Sequence, residues 1–481
     1  MEMRTKIVTL AVVFLTSVSF MSCGNDKNDS SSDVTEQVGG EGGEGGGDSA
    51  VMSPTEQKAY LEKVAREFMA VTKSDDFKEI GALAKYVKNT YIENYDWDNV
   101  EDWAKDCLDA ASKQVGVDTA TTEYSGYYYQ NYYNRITKNF ESLLLASNFR
   151  SRFTASNGKW VRSDADKLEF VFTDQNRQTC SLKLETSGKV VKVHATYIKN
   201  HTGYSSTSVQ DGYYYTYISN SYYDAYDCTI GVPEHIVVTL TQGNNVVVKS
   251  EVDINLSNIV GEEFNLSRSN LTAKCVTTLN NGYTFNVSQV AYTANSKASV
   301  SFAMTKGNQS LVTIAVAGDV SGIPSCNVSA FTRDEVDEDD FNNATVNNGL
   351  VKIDIIGKFQ MQGTIKNARQ FYDYLNKASE NDRNEANFKS YVNQANSLAD
   401  VNVFYDGKST KQASVKMETF SEQNWRGEIR WETEPVLCFY DGSSYSTFEA
   451  FFNDKDFKGL IDSFKSYAGD YASLIGERIE W

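Results

Sequence analysis

Apolar residues fall at every second position through much of 153–320. Leu168, Phe170 and Phe172 alternate with Glu169 and Val171; Leu182 and Leu184 alternate with Lys183 and Glu185; Val191 and Val193 alternate with Lys192 and His194. A period of two puts one set of side chains in a core and the other in water, so each run predicts a half-buried strand. Ser187-Gly188 separates the second run from the third and reads as a hairpin turn, since glycine reaches positive φ without a Cβ clash. The pattern then repeats. Residues 236–240 run to Gly243-Asn244-Asn245 and on to Val246, Val247 and Val248, with Val252, Ile254 and Leu256 following on one face. Residues 273–279 lead through Asn280-Asn281-Gly282 to Tyr283, Phe285 and Val287, and Val300, Phe302 and Met304 lead through Lys306-Gly307-Asn308 to 311–316. Short Gly/Asn loops join antiparallel neighbours, whereas parallel strands need long crossovers. The expectation is a large, twisted antiparallel meander with one buried face.

Helical spacing flanks this stretch. Ser53-Pro54-Thr55-Glu56 has the form of a capping box, and Leu61, Val64, Ala65 and Phe68 recur at helical intervals after it. Ile80, Leu83, Ala84 and Val87 predict a second helix. A third begins at Asn99 with Val100, Trp103, Ala104, Cys107 and Leu108 inward, and a fourth carries Ile136, Phe140, Leu143 and Leu144. On the C-terminal side, 351–359 reads as a strand, and 368–378 and 388–398 read as helices. Val403-Phe404-Tyr405-Asp406-Gly407 is echoed by Cys438-Phe439-Tyr440-Asp441-Gly442, an apolar strand entering an Asp-Gly turn each time. The echo predicts two hairpins of one sheet. A last amphipathic helix holds Phe457, Leu460, Ile461, Phe464, Tyr467, Ala468, Tyr471 and Leu474 and is expected to return to the core. It lacks the basic face of a membrane-surface helix. The fold class is therefore α+β, with N-terminal and C-terminal helices packed on a large antiparallel meander. The expected organisation is a leader over 1–22, a linker over 23–51, a helical region over 52–150, the meander over 151–330 and an α+β region over 331–481 on the same core.

The leader has Arg4 and Lys6 before an apolar run over 7–20, which is short for a membrane span and suits a signal peptide. Phe20-Met21-Ser22-Cys23 resembles a bacterial lipobox, in which the Cys becomes the lipidated first residue of the mature chain. Gly24-Asn25-Asp26-Lys27-Asn28-Asp29 resembles the acidic export stretch of surface lipoproteins, and a Gly/Glu-rich tether comes after it. As a flexible coil, 24–50 would span roughly 30 Å on average. Together these marks resemble the uncharacterised surface lipoproteins of the Bacteroidota type. The resemblance covers 1–50 and implies an outer-membrane, lipid-anchored (palmitate-bearing) protein facing outward, with the membrane as a partner through Cys23. It carries over no other functional residue. Asp48-Ser49-Ala50 and Asp118-Thr119-Ala120 resemble the short O-glycosylation acceptor of the same bacteria.

Net charge changes the list of partners. At −18, with a pI near 4.8, the 481-residue chain lacks the basic surface that binds phosphate, so nucleic acid is not expected as a ligand. Of 7 Cys, those other than Cys23 (Cys107, Cys180, Cys228, Cys275, Cys326 and Cys438) are scattered. They form no CxxC motif and read as small buried apolar residues, with disulfides as the alternative in an oxidising compartment. The 3 His, His194, His201 and His235, make no zinc-spaced pair. The acidic run over 334–340 has no EF-hand spacing and reads as a solvated loop. No metal or cofactor is expected.

Tyrosine is the compositional outlier, at 29 residues. One cluster holds Tyr124, Tyr127, Tyr128, Tyr129, Tyr132 and Tyr133. A second holds Tyr213, Tyr214, Tyr215 and Tyr217, then Tyr222, Tyr223 and Tyr226. Tyrosine offers a flat apolar face and a polar tip, which suits sugar stacking and protein interfaces; the alternative is that these rings cover the protein's own sheet. Tyr127, Tyr128, Tyr129, Tyr213, Tyr214 and Tyr215 are the candidate ligand-binding residues, and none is catalytic. Nucleophile-elbow, P-loop and dinucleotide motifs are absent from the sequence. Arg430-Trp431-Glu432-Thr433-Glu434 places an aromatic beside two carboxylates, a pattern shared by sugar sites and ordinary strand faces. The expected function is a non-enzymatic surface module binding glycan or protein. The alternatives are a carrier of apolar ligand in a groove of a curled sheet and, third, a glycoside hydrolase.

Overall fold

The structure, a computed structural model, describes residues 50–123, 150–206, 217–323, 345–423, 427–440 and 445–447, together with Ser466 and Asp470. The chain opens with α1 (Pro54–Val71), a 3-10 turn (Ser74–Phe77), α2 (Lys78–Val87), a π turn (Lys88–Ile92) and α3 (Asp98–Ala111). Strands come next: β1 (Ser112–Glu123), β2 (Ser151–Ser156), β3 (Lys159–Ser163), β4 (Leu168–Thr173), β5 (Thr179–Ser206), β6 (Tyr217–Gln242) and β7 (Asn245–Ser257). They continue with β8 (Asn270–Leu279), β9 (Tyr283–Thr293), β10 (Lys297–Lys306), β11 (Gln309–Gly322), β12 (Thr345–Ile355) and β13 (Phe359–Asn367). Two helices, α4 (Ala368–Glu380) and α5 (Glu385–Leu398), precede β14 (Ala399–Tyr405), β15 (Ala413–Gln423), β16 (Ile429–Phe439) and β17 (Tyr445–Thr447).

The fold is α+β. Its strands form one 17-stranded sheet. From β4 to β17 each strand pairs antiparallel with the next, β2 pairs with β3, and β2 lies parallel to β4. The meander therefore runs on without a break through the point, residue 330, at which the sequence divides it.

One face of this sheet carries an apolar row from β6 to β16. Register places Ile236, Val252, Cys275, Val287, Phe302, Ile314, Ile353, Met361, Val403, Ala413 and Phe439 in one row. The neighbouring row on the opposite face reads Ser301, Ala315, Lys352, Gln362, Asn402 and Ser414. The apolar-against-polar split between the two rows is what a period of two dictates, although Asn402 and Ser414 of the polar row are themselves buried.

The N-terminal helices lie along the hairpin ends of the strands. Ser53 caps α1 with both halves of the capping box in place, and the helix then docks through hydrogen bonds to one hairpin after another. Tyr60 Oη donates to Asp406 at the β14–β15 turn (2.5 Å), and Lys358 at the β12–β13 turn meets Glu67 (2.5 Å). Asn281 at the β8–β9 turn donates to Asp76 O (2.7 Å), and Tyr91 Oη donates to Thr173 O at the end of β4 (2.8 Å). Asp96 forms a parallel bridge with Lys159 beside the β2–β3 turn. Behind these contacts Trp97, Val100, Trp103, Phe153, Trp160, Phe170 and Tyr283 build the main core. At the opposite ends of the strands, Phe264 and Leu266 of the β7–β8 loop pack on Tyr292, Ala298 and Val320. There too the α4–α5 pair packs Phe388 and Val392 against Met417 and Trp431.

Three local expectations are corrected. Ser187-Gly188 is not a hairpin turn; β5 runs straight through it, with a register shift between Ser187 and Val190. Gly188, at φ +83°, makes a bulge, and Lys189 N there donates to Glu234 of β6 (2.9 Å). The single strand expected over 351–359 is instead two strands that turn at Ile356-Gly357, both at positive φ. The region over 52–150 is not wholly helical, because β1 follows α3 directly. The fourth helix expected near Ile136 lies outside the described residues, as do the stripe residues of the last helix.

Candidate functional site

The candidate site is organised by the long hairpin of β5 and β6. Its inner half belongs to the meander, where β6 pairs with β7 from His235 to Gln242. Its outer half, about 40 Å long at the rise of a strand, carries β1 in place of β7. Ser112 of β1 pairs with Cys228 of β6, and Glu123 pairs with Ile218. On the other side of β6, Ala195 pairs with Cys228 and Ser206 with Tyr217. The result is a three-stranded ribbon in the order β5–β6–β1.

This ribbon orders the tyrosines. Tyr226 is opposite Tyr197 of β5 and Gln114 of β1; Tyr222 is opposite His201 of β5 and Thr119 of β1. Strand alternation puts Tyr197, Tyr222 and Tyr226 on one ribbon face, with Asp224 and Lys199 between them in register. Tyr223, opposite Asn200 and Asp118, falls on the other face, with Tyr204 and Tyr217. The acceptor-like Asp118-Thr119-Ala120 lies in β1 against Tyr223, Tyr222 and Ser221.

The sequence candidates Tyr127, Tyr128 and Tyr129, and Tyr213, Tyr214 and Tyr215, lie outside the described residues, as does Cys23. The ribbon nevertheless fixes where their segments start. Residue 124 follows Glu123, residue 207 follows Ser206 and residue 216 precedes Tyr217, and these three strand ends are neighbours at one tip. The segments holding residues 127–129 and 213–215, some 80 residues apart in sequence, thus adjoin neighbouring strand ends. Sequence reasoning missed β1, which makes this so. The signal was present in Val115, Val117, Thr119 and Thr121, β-branched residues at every second position.

The remaining candidates separate from one another. In β16, Trp431 and the pair Glu432 and Glu434 fall on opposite faces of the strand. Trp431 packs in the α4–α5 cluster with Lys389 Nζ 4.6 Å from its ring centroid, while both carboxylates are exposed. Arg430 pairs with Asp382 (2.6 Å). The stretch is thus a helix-docking strand and not a sugar cleft. His235 pairs with Asp253 across β6 and β7 (2.6 Å), both side chains about half exposed, and His201 is in the ribbon. Cys107, Cys180, Cys275 and Cys438 are free thiols; Cys180 is fully buried, and burial pushes its thiol up to about 11. Cys228 is described in its backbone alone, and Cys326 lies outside the described residues, as does the acidic run over 334–340.

Among the described residues no group of three or more His, Cys, Asp or Glu is arranged to hold a metal ion, and no helix is long and apolar enough to cross a membrane. Buried polar groups are instead spent on structure. Glu169, 3% exposed, receives hydrogen bonds from Arg152 (2.7 Å) and Ser181 (2.7 Å). Asp174 accepts from the backbone of Asn176 and Gln178 and from Gln242. Gln57, on the buried face of α1, donates to Met52 O (3.0 Å) and Gln412 O (3.1 Å) and accepts from Tyr405 Oη (3.0 Å).

The apolar sheet face has a less buried middle. Between the N-terminal helices at one end and the β7–β8 loop and α4–α5 at the other, Val287, Val300, Ile314, Val316, Ile353 and Met361 are only partly buried. No family model matches this chain, and neither a curated protein nor a solved structure matches it.

Proposed function

We infer that this protein is a lipid-anchored, non-enzymatic recognition module of the outer membrane, facing outward, whose ligand is met by the β5–β6–β1 ribbon and its tip. The leader, Cys23 and the Gly/Glu tether support the anchoring. The observation that carries the recognition reading is the register that lines the ribbon with tyrosines, Tyr197, Tyr222 and Tyr226 on one face and Tyr204, Tyr217 and Tyr223 on the other, and starts both tyrosine-rich segments at one tip. Strand pairing orders the backbone that carries these residues, so less ordering entropy opposes binding.

A neutral glycan suits the ribbon better than a protein partner. Register puts Thr119, Thr121 and Asn220 on the face of Tyr222 and Tyr226, and Thr202, Ser219 and Ser221 on the other, hydroxyl and amide groups of the kind that pair with sugar hydroxyls. The net charge of −18 opposes anionic polymers. The test is a glycan array probed with soluble residues 24–481 and with the same protein carrying Tyr222→Ala and Tyr226→Ala. The expected result is binding to neutral oligosaccharides that the double variant loses. An array without a hit, with a cell-surface protein captured instead, would replace the glycan with a protein ligand.

The partly buried apolar face is the observation that favours a carrier of apolar ligand. That reading requires the middle of the face to be open to a ligand and not covered by the chain itself.

A further inference from the structure

We propose that the partly buried middle of the apolar sheet face is the docking site of the chain's own C-terminal segment, residues 457–474. Four observations select this occupant over a bound lipid or a second copy of the chain.

The first is where the chain goes. β17 pairs Tyr445 with Cys438 and Thr447 with Val436, so residue 448 starts beside the middle of β16, level with the apolar rows. The second is the sequence pattern beyond β17. Phe457, Leu460, Ile461, Phe464, Tyr467 and Tyr471 recur at helical spacing. The third is that Ser466 and Asp470, four residues apart and so on one helix face, are helical and exposed. At 100° per residue Ser466 lies opposite that apolar stripe and Asp470 beyond its edge at Tyr467, so the exposed positions are off the stripe. The fourth is size and chemistry. The partly buried residues of the row run from Val252 in β7 to Met361 in β13, about 29 Å at the spacing of neighbouring strands. A helix over 457–474 would be about 27 Å long. The rows it would cover, Val287, Val300, Ile314, Val316, Ile353 and Met361, carry no charge for a polar ligand to meet.

In this arrangement the N-terminal helices close one end of the face, the β7–β8 loop and α4–α5 close the other, and the C-terminal helix fills the space between. The face is then an interior, and the binding surface is left to the ribbon.

The test uses soluble residues 24–481 with Phe464→benzoylphenylalanine, irradiated and mapped by peptide mass spectrometry. Docking predicts intrachain crosslinks to peptides of β9–β13. Crosslinks to any other element, crosslinks between chains or the absence of crosslinking would overturn the proposal. A second arm compares an apolar fluorescent dye on the unaltered protein and on Leu460→Asp. Docking predicts weak dye binding that rises several-fold in the variant. Strong dye binding by the unaltered protein, or stoichiometric co-purified lipid displaced by the dye, would assign the face to a ligand instead. Neither arm depends on the tyrosines of the ribbon, so failure here leaves the glycan reading standing, and failure of the array leaves this one.

Discussion

Glu123 pairs with Ile218, next to the Tyr217–Ser206 pair, and these backbone contacts join two parts of the chain that the sequence keeps far apart. Recognition by the ribbon depends on that junction. If β1 left β6, the 124–149 segment would start elsewhere, and the two tyrosine clusters would be unrelated. A proline at Thr121, inside β1, removes a ladder donor. Thr121→Pro is therefore expected to weaken ligand binding at least tenfold while leaving the unfolding midpoint of the main core within a few tenths of a molar of urea, measured by binding titration and by urea denaturation.

The clasp between the helices and the β10–β11 hairpin makes a stability prediction. Lys306 Nζ meets Asp76 at 2.6 Å and Val71 O at 3.0 Å, and Tyr283 Oη donates to the same carboxylate at 2.9 Å. These groups are partly shielded, so the clasp escapes the screening that makes surface pairs weak. Lys306→Met is expected to cost about 1–2 kcal/mol in urea unfolding. Lys389→Met, which breaks an exposed i,i+4 pair with Glu385 and a contact to Trp431, is expected to cost less than about 1 kcal/mol.

Glu169 sets part of the acid response. Burial alone would raise its pKa; the hydrogen bonds from Arg152 and Ser181, with the charges of Arg152 and Lys183, outweigh burial and hold the carboxyl below its usual value. The unfolded chain then binds this proton more readily than the folded one, so stability rises with pH across that interval. Its contribution is complete above the ordinary glutamate range and fades as pH falls through the lowered folded value. Glu169→Gln should flatten the acid limb of a stability–pH curve and lower stability at pH 7, as followed by circular dichroism. An unchanged acid limb would remove Glu169 from the account.

Gly363 in β13 tests the sheet's packing. A Cβ there would lie 2.1 Å from Asp400 O and 2.4 Å from Val401 Cα, both backbone atoms of β14 that cannot swing aside. Gly363→Ala is expected to destabilise by about 3 kcal/mol or more. At Gly349 the nearest atom is 3.5 Å away, an ordinary contact, and Gly349→Ala should unfold near the unaltered midpoint.

The strands from Leu168 onward were legible because one-face burial writes a period of two into the sequence, and Gly243, Gly282 and Gly307 mark real turns at positive φ. The capping box at Ser53 was legible because its chemistry is local. Gly188 misled because a bulge and a hairpin turn ask the same backbone freedom of glycine; only the partner strand, with Glu234 and His235 opposite, distinguishes them. β1 was hidden by its polar, threonine-rich composition and by the helix before it. The shared tip is a consequence of pairing between residues about a hundred positions apart, which no local pattern encodes. Trp431 on a strand and the helix over 388–398 were both legible from sequence, but not the packing of one against the other.

Contact of the ligand with the Tyr222 and Tyr226 face of the ribbon is tested most directly by comparing the two faces. Dissociation constants for the best array ligand are to be measured calorimetrically for the unaltered protein, for Tyr222→Ala with Tyr226→Ala, and for Tyr223→Ala. Removing two stacking rings from one face predicts a loss of tenfold or more, about 1.4 kcal/mol or above. Tyr223→Ala on the opposite face should bind within about twofold of the unaltered protein. Equal losses from both faces, or none from Tyr222 and Tyr226, would contradict the account.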